Sequence, residues 1–217
     1  MKDKRNDLTI IYYSSNSEDS KFENKIIEDL KKKAGDIPIV SVTMKPLDLG
    51  TNICIGGQPV CYSNLWKQQL IGLKAAKTKF CITAEADCLY PESYFKFTPP
   101  REDMVYMYDN IWAFWKNRDK FWRKPSCEGA QMCGREYWIE RLESMLEGHE
   151  GWEPMSNPSH LVGKIFDKKG KWSGDPVITF LTGDGISTKT SLSKEPSLTE
   201  LPYWGEALKI KKNIFDE

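Results

Sequence analysis

The N-terminal part of the chain alternates between strand and helix patterns, and this alternation limits the possible folds more than any other feature. Residues 8–13 (LTIIYY) are uncharged and rich in β-branched and aromatic side chains, which is typical of a strand buried on both faces of a parallel sheet. A helix follows, in which Ser20 and Glu23 have capping-box spacing and which Gly35 ends. A second strand is predicted at 37–43. Strand, helix and strand in succession predict a right-handed βαβ unit.

The alternation continues beyond this unit. Residues 63–77 place apolar side chains on one helix face, with Ser63 as the expected N-cap, and residues 78–84 form the next strand. Residues 44–61 are predicted to be a long connection, and such a loop is more often functional than idle. Further elements are strands at 103–108 and 176–182 and a helix at 135–147. The predicted class is α/β, and no linker divides residues 1–217, which we predict to be a single domain.

Composition excludes several classes of protein. The chain carries 31 Lys+Arg and 31 Asp+Glu, so as a whole it is not a nucleic-acid-binding polycation. No apolar run approaches the roughly 20 residues needed for a membrane span, and no signal peptide is recognisable, so we expect a cytoplasmic protein. None of the 6 cysteines forms a Cys-x-x-Cys pair and there are only 2 histidines, which argues against a structural zinc site. We expect free, mostly buried thiols.

The strongest chemical signal is a pair of acids at the end of an apolar strand. Glu85 and Asp87 occupy alternate positions after the strand at 78–84, so their side chains point to the same side. Two neighbouring carboxylates repel each other unless a cation or a raised pKa relieves them. The carboxyl edge of a parallel sheet is also where open α/β folds bind ligands. A divalent cation that holds a diphosphate would explain the pair; alternatively, the acids simply begin a solvated loop.

Four segments, taken in order, resemble the inverting nucleotide-sugar glycosyltransferases of the family 2 type, which have the GT-A fold. The resemblance therefore implies a GT-A-like, Rossmann-type mixed sheet flanked by helices. The segments are residues 12–16, the helix at 63–77, the motif Glu85-Ala86-Asp87 and the run 127–137. In the family these positions hold the start of the nucleotide pocket, the helix before the metal motif, Asp-x-Asp, and an acceptor-side strand leading into a helix. The resemblance covers residues 8–147, with Glu in place of the first Asp and no acidic pair after the second strand.

The resemblance implies a nucleotide-sugar donor, in particular a UDP-linked one, and a divalent cation, Mn²⁺ or Mg²⁺. Asp87 would bind the cation against the two phosphates, and Glu85 would share it or orient the ribose. The other donor-site candidates are Tyr12, Tyr13, Ser14, Lys45, Asn64 and Gln68. Strand packing is the alternative for the tyrosines, and helix capping or solvation for Asn64 and Gln68. Residues 8–91 would form the donor half and residues 92–217 the acceptor half.

Inversion also requires a general base that takes the proton of the acceptor hydroxyl. Glu153, which follows the helix at 135–147, is the first candidate for this role. Asp175 is a second catalytic candidate, and Glu128 competes with both. Many relatives also have a late histidine as a metal ligand, which the strand at 176–182 and its following turn lack. The possible replacements are Thr182, Asp184, a water molecule, His149 and His160.

Aromatic and basic residues interleave between positions 112 and 124, and this run has two functional interpretations. Aromatic faces stack on sugars, so Trp112 and Trp115, together with Trp152, are candidates for binding a glycan or small-molecule acceptor. The same pattern suits single-stranded nucleic acid, which leaves open a transferase that acts on modified DNA bases, or a non-catalytic carbohydrate- or nucleic-acid-binding module. A packed loop with solvated charges is the structural alternative. A nucleotidyltransferase is disfavoured because the turn at 14–17 has no Gly or Lys.

Overall fold

The computed structural model describes residues 5–155, 165–184 and 190–215. The strands are β1 (Leu8–Ser14), β2 (Ile39–Thr43), β3 (Thr51–Cys54), β4 (Phe80–Glu85), β5 (Cys88–Leu89), β6 (Val105–Tyr108), β7 (Ile111–Trp115), β8 (Phe121–Lys124), β9 (Gln131–Gly134), β10 (Lys169–Trp172), β11 (Val177–Leu181), β12 (Glu200–Leu201) and β13 (Gly205–Glu206). The helices are α1 (Ser20–Ala34), α2 (Tyr62–Ala75), α3 (Arg135–Leu146) and α4 (Ala207–Phe215), with a 3₁₀ helix at Glu92–Lys96. Within these ranges no helix is both long and apolar enough to cross a bilayer.

A 7-stranded mixed sheet forms the centre of the fold, in the order β10-β6-β9-β4-β1-β2-β3. Strands β4, β1, β2 and β3 run parallel, and β9 lies antiparallel to both β4 and β6. The predicted βαβ unit and mixed sheet are therefore confirmed. The prediction of an unbroken connection over 44–61 was wrong, because β3 lies inside it and pairs with β2. This edge strand is too short and too exposed to produce a recognisable hydrophobic pattern.

Helix α1 buries the predicted apolar face against the sheets, but its N-terminus differs from the prediction. Asp19 is the N-cap, and its Oδ1 accepts hydrogen bonds from the backbone N–H groups of Lys21 and Phe22 at 3.0 and 3.1 Å. An Asp at this position satisfies the free N–H groups of the first turn, so no capping box forms. Glu23 instead turns inward. Gly35 ends the helix as predicted, with a φ of 59° that favours glycine.

Helix α2 packs on the large sheet and begins one residue before its predicted start. Cys61 is the N-cap, so Ser63 lies inside the first turn rather than capping it. Trp66 and Leu73 are buried against the sheet. The approach is close at Gly72, where an added Cβ would come within 2.6 Å of the Ile11 side chain. The helix therefore holds its side chains close to the carboxyl ends of β1 and β2.

A second sheet, in the order β5-β11-β7-β8, contains the aromatic and basic run as a hairpin of β7 and β8. Trp112, Phe114 and Phe121 face one side of this sheet, where they are buried together with side chains of α1 and α4. The hairpin register pairs Ala113 with Trp122. Because side chains alternate between the two faces of a strand, Trp115 and Trp122 both point to the opposite face. The packed loop considered from sequence is thus a hairpin, and most of its aromatic side chains form core.

Candidate active site

A cleft of about 490 Å³ opens where β1 and β4 end and the second sheet begins. The side chains that line it come from the ends of β1 and β4, from α2, from the segment after β8 and from β11: Tyr13, Ser14, Ser15, Ser17, Glu18, Tyr62, Leu65, Gln68, Glu85, Ala86, Asp87, Lys124, Pro125, Ser126, Cys127, Glu128, Thr179, Phe180, Leu181, Thr182, Thr190 and Ser191. The position of this cleft, at the carboxyl edge of the parallel strands, is where α/β folds bind ligands.

Glu85 ends β4 and is held on several sides. Its Oε1 accepts a hydrogen bond from the Tyr13 hydroxyl at 2.8 Å, and its backbone N–H donates to the Tyr90 hydroxyl at 3.0 Å. Gly129 lies so close that an added Cβ would stand 2.8 Å from Cγ of Glu85. Burial, followed by the nearby Cys127, raises the pKa of the Glu85 carboxyl to about 8.

Two further carboxyl groups lie in the same cleft. Burial and the charge of Glu85 raise the pKa of the partly exposed Asp87 to about 7. Burial, with smaller contributions from Asp87 and Asp184, likewise raises the pKa of Glu18 to about 7. Carboxylates gathered in this way destabilise one another when ionised. A bound cation would remove that repulsion, so the oxygen-rich set suits a hard divalent ion such as Mg²⁺ or Mn²⁺.

Lys124 supplies a positive charge to the cleft. Burial alone would lower the pKa of its ammonium, but Cys127, Cys88, Asp87 and Glu85 surround it with negative charge and raise that pKa. The ammonium therefore stays charged and can attract a phosphate group. The sequence showed Lys124 only as part of the basic run, because nothing local indicates that β8 ends at the cleft.

The structure brings five of the predicted site residues together at the cleft: Tyr13, Ser14, Gln68, Glu85 and Asp87. Gln68 is also structural, because its Nε2 donates to the backbone oxygens of Ser14 and Val42 at 2.9 and 3.0 Å. These bonds tie the ends of β1 and β2 to α2. The side-chain amide therefore fixes the shape of this side of the cleft.

Three predicted donor-site residues lie elsewhere. Tyr12 points to the opposite face of β1 from Tyr13, is fully buried, and donates to Glu23 at 2.8 Å. Asn64 donates to the backbone oxygens of Pro59 and Trp152 at 2.7 and 2.9 Å, so its amide holds two loops together. Lys45 is exposed on the surface, beside Asn16. These positions follow strand alternation and loop packing, not a ligand pocket.

The predicted general base and its neighbouring tryptophan do not line this cleft. Trp152 and His149 line a separate cavity of about 580 Å³ between α2 and α3. Glu153 is exposed, and Lys67 stands over the Trp152 ring and donates to the backbone oxygen of Gly151. His160 lies outside the described residues. The cleft does not include Glu153, because the chain after α3 turns back over α2.

Of the other catalytic candidates, Glu128 lines the cleft and Asp175 does not. Asp175 accepts a hydrogen bond from Ser93 at 2.9 Å and lies outside the cleft. Glu128, the competing base, lines the cleft, and burial raises the pKa of its carboxyl. Thr182, a proposed replacement for the late histidine, also lines it.

The tryptophans of the hairpin divide between its two faces. Trp112 is buried on the side of the second sheet that packs against α1, away from the cleft. Trp115 and Trp122 are partly exposed on the other side, with ring centroids 5.0 Å apart and planes at 90°. The strand registers put Leu181 and Lys124, both of which line the cleft, on this same face.

Residues missed by the sequence analysis are Glu18, Cys88 and Cys127. Glu18 follows the serine-rich turn after β1, and its acidic side chain in such a turn is a weak local signal. Cys88 follows Asp87 directly, whereas Cys127 joins it only through the folding of β8 and β9. Their spacing along the chain carries no recognisable motif.

No protein-family model matches this chain, and no curated protein matches its sequence. Among solved structures, it is similar to the galactosyltransferase LgtC in complex with donor and acceptor sugar analogues, with a TM-score of 0.51, 9% identity, and coverage of 96% of this chain and 95% of that one. This likeness confirms the predicted α/β fold: the chain has the architecture of GT-A-type glycosyltransferases.

Two further glycosyltransferases are more distant. One is involved in glycosylation of the major capsid of PBCV-1, with a TM-score of 0.47, 11% identity, and coverage of 76% of this chain and 81% of that one. The other is the mannosyltransferase PcManGT from Pyrobaculum calidifontis in complex with GDP-Man and Mn²⁺, with a TM-score of 0.47, 12% identity, and coverage of 82% and 58%. The chain thus spans less than two thirds of the mannosyltransferase.

Proposed function

We propose that this protein is a glycosyltransferase that moves a sugar from a nucleotide-sugar donor to an acceptor hydroxyl with the aid of a divalent cation. The observation that carries the proposal is the position of Glu85 and Asp87, which end a parallel strand at the carboxyl edge of a GT-A-type sheet and face a cleft. The cleft is lined both by residues of the 8–91 half, which we assign to the donor, and by residues of the 92–217 half, which we assign to the acceptor.

The cation, Mn²⁺ or Mg²⁺, would be held chiefly by Asp87, with Glu85 and Glu18 as neighbouring carboxylates. Their raised pKa values support this assignment, since burial and like charge disfavour three ionised carboxyls without a counterion. When bound, such an ion neutralises charge on a departing diphosphate. Thr182 lines the cleft, and among the described residues we propose it as the replacement for the missing histidine.

The donor would lie along the end of β1. Tyr13 and Ser14 line this side of the cleft. The Gln68 side chain holds the backbone of Ser14 in place by a hydrogen bond to its carbonyl oxygen. Lys124 stands on the other side, where its ammonium can pair with the diphosphate oxygens. A UDP-linked sugar is the donor we propose to test first.

We assign the general base of an inverting displacement to Glu128. It lines the cleft, and burial raises the pKa of its carboxyl, which brings its affinity for a proton closer to that needed near neutral pH. Glu153, the first candidate from sequence, is exposed and does not line the cleft. Glu128 would accept the hydroxyl proton of the acceptor as that oxygen attacks the anomeric carbon.

The acceptor side would be formed by the pair Trp115 and Trp122. Their perpendicular, partly exposed rings continue the face of the second sheet that reaches the cleft at Leu181 and Lys124. Aromatic faces bind the apolar C–H surfaces of sugars, so a glycan or glycoside is the acceptor class we propose. Only these two rings of the hairpin offer such a surface, which is too little for a track of stacked nucleic-acid bases.

A donor-turnover assay tests the proposal. We expect hydrolysis of at least one donor among UDP- and GDP-linked hexoses in the presence of Mn²⁺, and loss of turnover with EDTA or in Asp87→Asn. Asp36→Asn is the matched control, because Asp36 is exposed before β2, at the opposite edge of the sheet. The anomeric configuration of the first product, read by NMR, tests inversion. Wild type that neither binds nor cleaves any donor and is indistinguishable from Asp87→Asn would contradict the proposal.

A further inference from the structure

Two buried cysteines meet behind the acidic motif. Cys88 and Cys127 are 1% and 8% exposed, and their Sγ atoms lie within 4.8 Å of each other. Their Sγ atoms lie 3.9 and 4.0 Å from Oε2 of Glu85. We propose that Glu85, Cys88 and Cys127 form a binding site for a thiophilic divalent cation of the Zn²⁺ class, distinct in chemistry from the hard-cation role of Asp87.

The distances among the three ligand atoms suit a tetrahedral ion. All three lie within 4.8 Å of one another. Bonds of about 2.3 Å to sulfur and about 2.0 Å to oxygen at tetrahedral angles separate ligand atoms by about 3.5 to 3.8 Å. The sulfur–oxygen separation belongs at the lower end of this range, and the observed 3.9 and 4.0 Å exceed it by about half an ångström, so side-chain rotations of that size complete the site.

The kind of ligand selects the kind of ion. Thiolates are soft ligands that favour Zn²⁺ over Mg²⁺ or Mn²⁺, which prefer oxygen. Oε1 of Glu85 is already occupied by the Tyr13 hydroxyl, and Oε2 is the atom that faces the sulfurs. The carboxylate is therefore oriented toward the thiols, as expected when an outer hydrogen bond positions a metal ligand.

The charges of the site also balance. On binding, the two thiols and the Glu85 carboxyl release their protons to solvent, so one Zn²⁺, two thiolates and the Glu85 carboxylate carry one net negative charge. Lys124 interacts electrostatically with Cys127, Cys88 and Glu85 and supplies one positive charge. Asp87, whose Oδ1 lies 3.4 Å from Sγ of Cys88, is assigned to the hard cation, so a water molecule is the fourth ligand of this site.

A Co²⁺ titration of the reduced full-length protein tests the site without any nucleotide sugar. We expect one equivalent of Co²⁺ to produce a thiolate-to-cobalt charge-transfer band and intense visible bands of tetrahedral cobalt, both abolished by stoichiometric Zn²⁺ but not by excess Mg²⁺. Cys88→Ser and Cys127→Ser should each remove the charge-transfer intensity or weaken Zn²⁺ binding at least about tenfold, the loss usual for disturbed metal sites.

The double variant Cys54→Ser/Cys61→Ser is the control, since it removes the two thiols that are not buried and should keep the signal. Circular dichroism checks that each variant is folded. If wild type shows no charge-transfer band, the proposal is overturned even if no variant folds. It is also overturned if the band disappears in Cys54→Ser/Cys61→Ser but persists in Cys88→Ser and Cys127→Ser. The readout is independent of donor turnover, so failure of the proposed transferase activity leaves this result unaffected.

Discussion

The Tyr13 hydroxyl donates a 2.8 Å hydrogen bond to Oε1 of Glu85, and the two residues are direct partners across the parallel pair of β1 and β4. Burial raises the pKa of the Tyr13 hydroxyl well above its usual value, so the hydroxyl remains a donor throughout the physiological range. One sheet register thus connects the wall of the cleft to the first acid of the motif, and it leaves the other carboxylate oxygen to face Cys88 and Cys127.

Tyr12→Phe and Tyr13→Phe form a matched pair, because each removes a hydroxyl that donates at 2.8 Å to a glutamate. Tyr12→Phe should lower the free energy of unfolding by about 1–3 kcal/mol, since it leaves the buried Glu23 short of a donor. It should not change UDP binding in the presence of Mn²⁺. Tyr13→Phe should weaken that binding about tenfold, or about 1.4 kcal/mol. Calorimetry and urea unfolding measure both quantities, and the reverse pattern would place Tyr12 in the site.

The pH dependence of stability should report on Glu85. Its pKa is raised from 4.5 to about 8 in the folded protein, so between these values the folded state holds a proton that the unfolded state has lost. The contribution of Glu85 to the free energy of unfolding is therefore greatest below about pH 4.5 and is lost as the pH rises to about 8.

Glu85→Gln removes this contribution. Without divalent cations, we expect the variant to gain on the order of 1–3 kcal/mol of unfolding free energy relative to wild type between pH 5 and about pH 8. Asp87 and Glu18, with pKa values raised to about 7, keep part of the slope in both proteins. Glu28→Gln, on the exposed surface of α1, is the control and should run parallel to wild type. Parallel profiles for Glu85→Gln would show that Glu85 does not carry the shift.

Gly129→Ala should displace Glu85 without any change to the acid itself. The added Cβ would lie 2.8 Å from Cγ of Glu85 and closer still to its carboxylate. Overpacking of this kind costs about 1–3 kcal/mol, so the carboxylate has to move. We expect a loss of donor turnover of at least about tenfold. Gly57→Ala, where an added Cβ meets no atom within 4 Å, should behave as wild type. Equal activity of the two variants would mean that the position of Glu85 is not critical.

Trp115→Ala and Trp122→Ala separate acceptor binding from donor chemistry. Because the two rings lie on the sheet face that leads into the cleft, each variant should raise the KM for a glycoside acceptor at least about fivefold, or about 1 kcal/mol, the scale of an aromatic contact. Donor hydrolysis by water should stay within about twofold of wild type. Tyr203→Ala, which removes an exposed aromatic elsewhere, is the control. Parallel loss of hydrolysis and transfer would instead indicate a structural role for the pair.

Sequence patterns located the elements that position the site. The strands predicted at residues 8–13 and 78–84 correspond to β1 and β4. They were recognisable because a strand buried on both faces is a continuous run of apolar side chains. Glu85 and Asp87 stood out because alternate positions after a strand share one side. By contrast, Asp19 replaced the expected capping box, since several polar residues near Ser20 compete for the same free N–H groups.

The sequence by itself determined the βαβ start and the acidic motif, because periodicity and alternation are properties of neighbouring residues. Only the tertiary structure decided that Cys127 and Lys124 join Glu85, that Glu153 lies elsewhere, and that the hairpin tryptophans divide between core and surface. Those outcomes depend on which distant strands pair and in which register. Contacts between residues far apart in the chain follow from packing of the whole molecule and leave no local signal.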